Sequence, residues 1–254
     1  MLWFLFLSCS ITCLRIWPDC PFLEWELKNL TFHKVAFSEK IETLLSLVEE
    51  RIQFYLRNRM KVFVSSSFQT HSIPLLHIIR NINSDIPVYF INTGFHFPET
   101  IVYKNQITQL LDLDVRSVES PIPKVGQINN DGRFFYSSDP DECCHFNKIL
   151  PLEPILAEND VWITGVRRDQ NSNRSKFEYE APGPKGTTRF HPMLEWNSKM
   201  IWEYRKAFNL PEHPLEEKGI FSVGCEPCTQ IYQGEERGGR WAGMNKVECG
   251  LHLK

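Results

Sequence analysis

Short apolar runs alternate along the chain with longer segments whose apolar positions repeat at helical spacing. Strands are predicted at 61–67, 86–91, 114–118 and 161–166. Helices are predicted within 22–57, at 73–79, at 100–111 and within 191–208. Strands that alternate with helices predict an α/β fold with a doubly wound, mostly parallel sheet, because each helix returns the chain to the same end of the sheet through a right-handed crossover.

The first and last predicted helices each carry an apolar face. Ser38 precedes a typical helix start, and the stripe that follows consists of Ile41, Leu44, Leu45, Leu47 and Val48. In the last helix the residues predicted to pack are Trp196, Ile201, Trp202 and Tyr204. Between the fourth strand and this helix, the polar segment 171–189 contains Pro182-Gly183-Pro184 and predicts an exposed, mobile loop.

Small and polar residues follow three of the predicted strands at the points where they end. Ser65, Ser66 and Ser67 follow the first strand, 92–94 follows the second, and 165–168 follows the fourth. The last group comprises Gly165, Val166, Arg167 and Arg168. Ligands bind at the carboxyl ends of such strands, and the helix after Ser67 could hold an anion on its N–H groups. An ordinary strand-to-helix turn would have the same local sequence.

Length and charge narrow the class of protein. The 254 residues suit one large domain at 21–240, with an apolar leader at 1–20 and a mobile tail at 241–254. The leader is too short to span a bilayer, so no membrane is expected. A formal net charge of −3 argues against a nucleic-acid-binding protein. A chain that can bury a large core needs no disulfide framework, so the eight cysteines indicate a reducing, cytoplasmic location.

Four cysteines have the pattern of a metal or redox site. Cys143 and Cys144 are adjacent, and Cys225 and Cys228 form a Cys-x-x-Cys pair. Adjacent residues point apart and close poorly on one small ion, so the pattern favours a 4Fe–4S cluster over zinc. A redox dithiol at the Cys-x-x-Cys pair is a third possibility.

Three cationic residues are candidates for binding an anion, and a fifth cysteine is a candidate nucleophile. Arg237 and Arg240 flank two glycines, and arginine presents a planar fork to phosphate or sulfate oxygens. Lys148 follows the adjacent cysteines closely. Cys249 is a candidate nucleophile, although the neighbouring Glu248 opposes ionisation of its thiol unless cations compensate. A solvated lysine, a surface arginine pair and an incidental cysteine are the alternatives.

Four separated motifs make the chain resemble the assimilatory adenylyl-sulfate / phosphoadenylyl-sulfate reductase family of the PP-loop, adenine nucleotide alpha-hydrolase-like superfamily. The resemblance runs from about Ser65 to Leu251. The motifs are Thr-Gly-x-x-Phe-Pro-Glu-Thr at 93–100, Gly-Val-Arg-Arg-Asp-Gln at 165–170 with Arg174, Arg-x-x-Arg-Trp at 237–241, and Glu-Cys-Gly-Leu-His at 248–252.

The resemblance implies that adenosine 5′-phosphosulfate is reduced to sulfite and AMP, in sulfate assimilation and cysteine biosynthesis. Cys249 would form an S-sulfocysteine, and thioredoxin or a glutaredoxin-like donor would release sulfite. One 4Fe–4S cluster per subunit, on Cys143, Cys144, Cys225 and Cys228, marks the members that prefer this substrate. Lys148, Arg237 and Arg240 would hold the phosphosulfate. The other expected pocket residues are Ser65, Ser66, Ser67, Gly165, Arg167 and Arg168. A homo-oligomer is expected.

Three other functions stay open on the sequence. The 3′-phosphorylated nucleotide could be the substrate, as in a phosphoadenylyl-sulfate reductase. An ATP-dependent adenylating or thiolation enzyme of the PP-loop type is a second alternative. The segment 67–72 lacks the glycines and the aspartate of its Ser-Gly-Gly-x-Asp-Ser loop, which counts against it. A nucleotide sensor that carries a cluster or zinc is the third.

Overall fold

The computed structural model describes residues 35–232, 234, 237–244, 246 and 248–252. The predicted leader at 1–20 and the start of the first predicted helical segment, 22–34, lie outside the described residues, as does part of the predicted tail. Across the part of the chain that the structure describes, every helix is too short or too polar to cross a bilayer.

Six strands form one sheet, in the order β3-β2-β1-β4-β6-β5. The strands are β1 (Val62–Ser65), β2 (Val88–Asn92), β3 (Val115–Glu119), β4 (Val161–Thr164), β5 (Glu180–Pro182) and β6 (Thr188–Phe190). All neighbours pair in parallel except β5, which runs antiparallel to β6 at the edge. The predicted α/β fold with a mostly parallel sheet is confirmed.

Helices lie before the first strand, in the connections between the first four strands, and after the last strand. They are α1 (Glu39–Arg57), α2 (Ile73–Ile82), α3 (Pro98–Leu111), α4 (Phe135–Ser138), α5 (Pro140–Cys144), α6 (Leu150–Glu158) and α7 (Ser198–Ala207). A π-helical turn, His145–Ile149, joins α5 to α6. Such turns are rare and often occur at functional sites; this one lies between the adjacent cysteines and α6 and carries Lys148.

The two faces of the sheet bury separate apolar clusters. Val62 and Val64 of β1 pack into the larger cluster, to which α1, α2, α3 and α7 also contribute. Phe63 points to the other face, where it packs in one cluster with Leu152 and Leu156 of α6. Because side chains alternate along a strand, the three apolar residues of β1 contribute to both cores.

Two apolar residues that the sequence predicts to pack are exposed. Leu47 in α1 is 46% exposed and Trp202 in α7 is 55% exposed. Each residue advances a helix by about 100°, so Leu47 lies off the stripe centred on Ile41, and Trp202 lies beside the face that Ile201 buries.

The segment 171–189 has many exposed residues, as predicted, but it is more ordered than its polar composition predicts. It contains β5 and the start of β6, and Arg174 within it is buried. Arg51 and Tyr55 of α1 both hydrogen-bond the Glu180 carboxylate, which attaches β5 to the first helix. Long-range pairing of this kind leaves little trace in local composition.

Four histidines, of which three are buried and His96 is half-buried, make the stability of the fold depend on pH. They are His77, His96, His191 and His213. Burial lowers the pKa of each to about 4, whereas an unfolded histidine titrates near ~6.5. Between these values the unfolded state binds more protons, so this stability is complete above about pH 6.5 and is lost as the pH falls toward 4.

We therefore expect the melting temperature to fall steadily from about pH 6.5 to about pH 4. His77→Gln removes one titrating group but keeps a polar partner for the Tyr204 hydroxyl, which lies 2.9 Å from His77 Nδ1. Its melting temperature should fall less steeply than that of the wild type when both are measured by calorimetry across this range. Parallel curves would contradict the assignment.

Candidate active site

A cavity opens at the carboxyl ends of β1, β2 and β4, where the sequence predicts ligand binding. Ser65, Ser66 and Ser67 line it after β1, and Thr93 lines it after β2. Thr164, Gly165 and Val166 line it at the end of β4. The indole of Trp162 donates a hydrogen bond to Ser65 Oγ at 2.8 Å, which fixes one hydroxyl of this wall.

Positive side chains line another part of the same cavity. They are Lys148, Arg174, Arg237 and Arg240. No acidic side chain stands among the described residues that line it. The cavity therefore has a cationic wall and a neutral, hydroxyl-rich wall, which suits a ligand with a neutral body and an anionic end.

Cys249 lies at the cationic wall. Lys148 Nζ is 3.5 Å from Cys249 Sγ. A hydrogen bond from the Cys144 thiol and the positive charge of Lys148 hold the pKa of Cys249 well below its usual value, although burial alone would raise it. A Cys144 that binds a metal has no proton to donate, so Lys148, the Leu251 backbone N–H and Arg240 are then the groups that lower the Cys249 pKa. The arrangement favours the thiolate, which is the nucleophilic form.

Lys148 is itself held in its charged form. Burial alone would lower its pKa, but the sulfurs of Cys249, Cys225 and Cys144 outweigh that effect and keep the pKa above its usual value. The ammonium group thus stays positive between the Cys249 sulfur on one side and the sulfurs of Cys144 and Cys225 on the other.

Glu248 is fully buried and is bound by two arginines. Arg174 holds both carboxylate oxygens, with Nε–Oε2 at 2.7 Å and Nη2–Oε1 at 2.8 Å. Arg237 Nη2 lies 3.5 Å from Oε1, and Asn171 donates to Oε2 at 2.9 Å. Burial alone would raise the Glu248 pKa, but Arg174 holds it well below its ordinary value.

This pairing removes the obstacle that the sequence predicts beside Cys249. Two arginines offset the single charge of Glu248, so its carboxylate does not oppose ionisation of the thiol. The same carboxylate accepts a hydrogen bond from the Cys249 backbone N–H at 2.8 Å. Glu248 therefore connects Arg174 to the backbone of the nucleophile.

Replacing Arg174 by methionine leaves the buried Glu248 carboxylate without its main partner, and the loss of such a partner typically lowers stability by ~3–5 kcal/mol. The segment 248–252 should therefore be held less firmly against the rest of the protein. We expect the turnover rate to fall on the order of 10- to 100-fold with little change in KM, since Arg174 acts through Glu248. Hydrogen exchange at 248–252 should speed up. Lys176→Met, which removes an exposed charge from the same turn, is the control. A large rise in KM with an unchanged turnover rate would instead make Arg174 a ligand of the substrate.

Arg240 packs flat against the backbone of the preceding segment. Its Nη1 donates to the Val223 carbonyl at 3.1 Å, and its guanidinium lies 4.5 Å from the Trp241 ring centroid. A side chain at Gly224 would overlap the guanidinium and displace it from this position. Nε of Arg240 is buried without a hydrogen-bond partner in the described structure, which leaves a donor for a ligand.

The structure does not bring Arg167 and Arg168 into the cavity. Arg167 is buried and pairs with Asp169 at 2.9 Å. Arg168 pairs with Glu195 at 2.9 Å and donates to the carbonyls of Ser175 and Phe177. Their side chains fix the loop after β4, and the cavity lining from that loop consists of Gly165 and Val166.

Four buried cysteines surround a second cavity next to the first. Cys143, Cys144, Cys225 and Cys228 all line it and are free thiols. Thr93, Lys148 and Cys225 line both cavities, so these residues form the wall between them. Lys148 thus stands between the four cysteines and the first cavity.

The donor set fits a cluster better than a single ion. No group of three or more His, Cys, Asp or Glu side chains within the described residues could hold one metal ion, yet four sulfurs surround one cavity. Burial and then the Cys225 sulfur raise the pKa of Cys143, and the same two causes raise that of Cys228 to about 11. Crowded, buried sulfurs of this kind suit a polynuclear cluster that binds them as thiolates.

The sequence marked two further site residues without assigning a contact to either. Arg174 belongs to a quoted motif, so its sequence signal was present, but its partner Glu248 lies 74 positions away. Thr93 also belongs to a quoted motif, and its hydroxyl lies 3.3 Å from Cys225 Sγ. Motif membership marked both residues, and only the fold shows what they contact.

Comparison with known proteins agrees with this geometry. The sequence model of the phosphoadenosine phosphosulfate reductase domain matches residues 61–231. An adenosine 5′-phosphosulfate reductase of Chelativorans sp. (strain BNC1) is 38% identical over 191 residues, covering 74% of this chain and 77% of the relative. One from Bacillus cereus (strain Q1) is 33% identical over 224 residues, covering 87% and 95%.

Solved structures show the same fold at low sequence identity. A phosphoadenylyl-sulfate reductase from Candida auris, in a phosphate complex, is 17% identical with a TM-score of 0.60, covering 76% of this chain and 97% of the other. A Candida glabrata FMN adenylyltransferase with FMN and an ATP analogue is 14% identical with a TM-score of 0.56, covering 84% and 73%.

Proposed function

The chain belongs to the phosphoadenosine phosphosulfate reductase family, and on that basis we propose that it reduces adenosine 5′-phosphosulfate to sulfite and AMP in sulfate assimilation. The names of its curated relatives support this reaction. The single observation that carries it in this chain is the Cys249 sulfur, 3.5 Å from the Lys148 ammonium at the cationic wall of the cavity.

The reaction proceeds in two displacements at sulfur. The Cys249 thiolate attacks the sulfate sulfur, the bond from sulfur to the bridging phosphate oxygen breaks, and AMP leaves with that electron pair. The enzyme then carries an S-sulfocysteine. A dithiol donor of the thioredoxin or glutaredoxin type attacks Cys249 Sγ as a thiolate, and sulfite leaves. The second donor thiol resolves the mixed disulfide, so the donor supplies two electrons and Cys249 is restored.

Lys148, Arg237 and Arg240 hold the phosphosulfate group and stabilise the charge that develops on the leaving phosphate. Burial, and then the neighbouring Arg174 and Arg240, lower the pKa of Arg237 to about 10. A guanidinium in such surroundings gains from binding an anion, because the anion offsets both the lost hydration and the repulsion between cations. Arg237 has this capacity, since its contact with Glu248 is long at 3.5 Å.

Cys143, Cys144, Cys225 and Cys228 hold a 4Fe–4S cluster in this proposal, since their four sulfurs surround one cavity. When bound, the cluster supplies an electrostatic field at the neighbouring site without changing its oxidation state. Lys148 lies between the two cavities, where it keeps its charge and acts on Cys249.

The neutral wall of the cavity favours the substrate without a 3′-phosphate. Its hydroxyl and amide groups come from Ser65, Ser66, Ser67, Gln69 and Ser72, and the cations lie at the other wall with Cys249. A second phosphate on the ribose would need a positive partner of its own. The four cysteines point to the same substrate through the family resemblance.

The absence of a carboxylate from the described cavity lining disfavours an ATP-dependent adenylating enzyme. Such an enzyme binds magnesium and pyrophosphate, and magnesium prefers carboxylate ligands. The structural relative that was solved with FMN and an ATP analogue shares the fold alone with this chain.

The remaining parts of the proposal concern the surroundings of the enzyme. A reducing, cytoplasmic compartment suits the five described cysteines, which are all free thiols. A dithiol of the thioredoxin type is the electron donor, and the subunits form a homo-oligomer.

The experiment that tests the reaction omits the donor. Anaerobically purified protein is mixed with adenosine 5′-phosphosulfate, digested and examined by mass spectrometry. We expect one sulfo group on the peptide that contains Cys249, released by later addition of reduced thioredoxin. Protein that makes sulfite in the full assay but never carries this adduct would rule out the mechanism.

A further inference from the structure

A second lysine lies beside the four-cysteine cavity, and the proposed reaction gives it no role. Lys124 begins the short turn Lys124–Gly126 after β3. Its ammonium group donates to the Thr93 carbonyl and, at 2.8 Å, to Asn147 Oδ1. It also lies 4.0 Å from the ring centroid of Phe95, and Phe95 lines the cysteine cavity.

The contacts of Lys124 lead directly to a predicted cluster ligand. Asn147 donates from Nδ2 to the Cys143 carbonyl at 3.0 Å, and its Nδ2 lies 3.6 Å from Cys143 Sγ. The same amide donates to Gln127 Oε1 at 2.6 Å. Asn147 and Gln127 are each 1% exposed. A buried network whose members are all hydrogen-bonded fixes the orientation of each member, so Lys124 sets the amide of Asn147 against the sulfur.

The backbone is adapted to this lysine. Gly94, at φ +69, lies against the Lys124 side chain, and a Cβ there would come within 2.7 Å of Lys124 Cε. No carboxylate in the described part of the chain lies within ion-pair distance of the Lys124 ammonium, whose polar contacts are neutral oxygens. A half-buried cation with neutral partners gains stability from any negative charge placed next to it.

We propose that Lys124 is a positioning residue for the cluster, supplying a second positive charge and, through Asn147, orienting Cys143. This inference rests on the proposed 4Fe–4S cluster. A cluster bound by four thiolates carries net negative charge, and its reduction potential follows nearby charges and hydrogen bonds to sulfur. Lys148 supplies one positive charge, at the wall of the cysteine cavity that faces Cys249. Lys124 supplies the other, from a position where its ammonium group contacts Asn147 and Thr93, which both line the cysteine cavity.

The test compares neutral variants of the iron-loaded, anaerobically purified protein. Lys124→Gln keeps a hydrogen-bond donor without the charge, and Lys124→Met removes both. Lys104→Met is the matched control. Lys104 lies on α3, and its ammonium group also lies over an aromatic ring, 5.5 Å from the centroid of Phe90. Both Lys124 variants should release iron to a chelator on the order of 10- to 100-fold faster than the wild type and Lys104→Met.

The reduction potential separates an electrostatic role from a merely structural one. Loss of a nearby positive charge should make the cluster harder to reduce, so the potential of Lys124→Gln should shift to a more negative value in a titration followed by electron paramagnetic resonance. If Lys124→Met does not fold, Lys124→Gln decides the matter.

Each possible failure points to a different claim. Wild-type rates of iron release, or an unshifted potential in Lys124→Gln, would overturn the role of Lys124 while the cluster stands. If the anaerobically purified wild-type protein contained neither iron nor sulfide, the proposal of a cluster would be overturned, and the inference about Lys124 with it. Sulfite formation enters neither readout, so the reaction at Cys249 is judged separately.

Discussion

Replacing Cys249 by serine is expected to reduce sulfite formation by a factor on the order of 10³ or more. The serine hydroxyl is almost wholly protonated at neutral pH, and neither Lys148 nor the arginines can make its oxygen as good a nucleophile as a thiolate. Nucleotide binding should remain within about twofold of the wild type, because the cations and the hydroxyl groups of the cavity are unchanged.

Two measurements check this expectation together. Sulfite release is followed with reduced thioredoxin in excess, and the affinity for adenosine 5′-phosphosulfate is measured by calorimetry without the donor. Cys249→Ala serves as a second variant, since it also removes any hydroxyl. If either variant still made sulfite at a rate near that of the wild type, Cys249 would not be the nucleophile.

The pattern of apolar positions was sufficient to predict the parallel part of the fold. The first four strands and the helices α2 and α3 have strong local signals, and their predicted positions match the structure to within a few residues. The helices α4, α5 and α6, between β3 and β4, were not predicted. Strands β5 and β6 gave no such signal, because each has three residues and includes proline or charged side chains. They become strands through pairing with each other and with β4, which depends on contacts distant in sequence.

The candidate site was predictable wherever strand ends or motifs carry the chemistry. Ser65 to Ser67 and Gly165 line the cavity because they end parallel strands. Lys148 and Cys249 were expected in one site from motifs, and the structure places them in contact. The direction of the arginine side chains after β4 could not be read from sequence. Arg167 and Arg168 turn toward carboxylates of their own loop and its neighbour, whereas Arg174 crosses to Glu248.

Replacing Lys148 by methionine should lower the turnover rate on the order of 10²- to 10³-fold, which is the usual cost of losing a group that stabilises transition-state charge. Methionine keeps most of the apolar stem, so the wall between the two cavities should stay closed. The variant loses the positive charge that acts on both the Cys249 sulfur and the leaving phosphate. KM should rise as well, because the phosphosulfate loses one of its three proposed cations.

Alkylation of Cys249 without substrate isolates the first of these two effects. Lys148 helps to hold the Cys249 pKa below its usual value, so its removal raises that pKa and reduces the thiolate fraction at neutral pH. The alkylation rate of Lys148→Met should therefore reach its midpoint at a higher pH than in the wild type. Lys104→Met, which removes a lysine from α3, should leave the midpoint unchanged. An unshifted midpoint in Lys148→Met, with the turnover rate reduced, would confine Lys148 to binding the leaving phosphate, because the thiolate would then owe its stability to other groups.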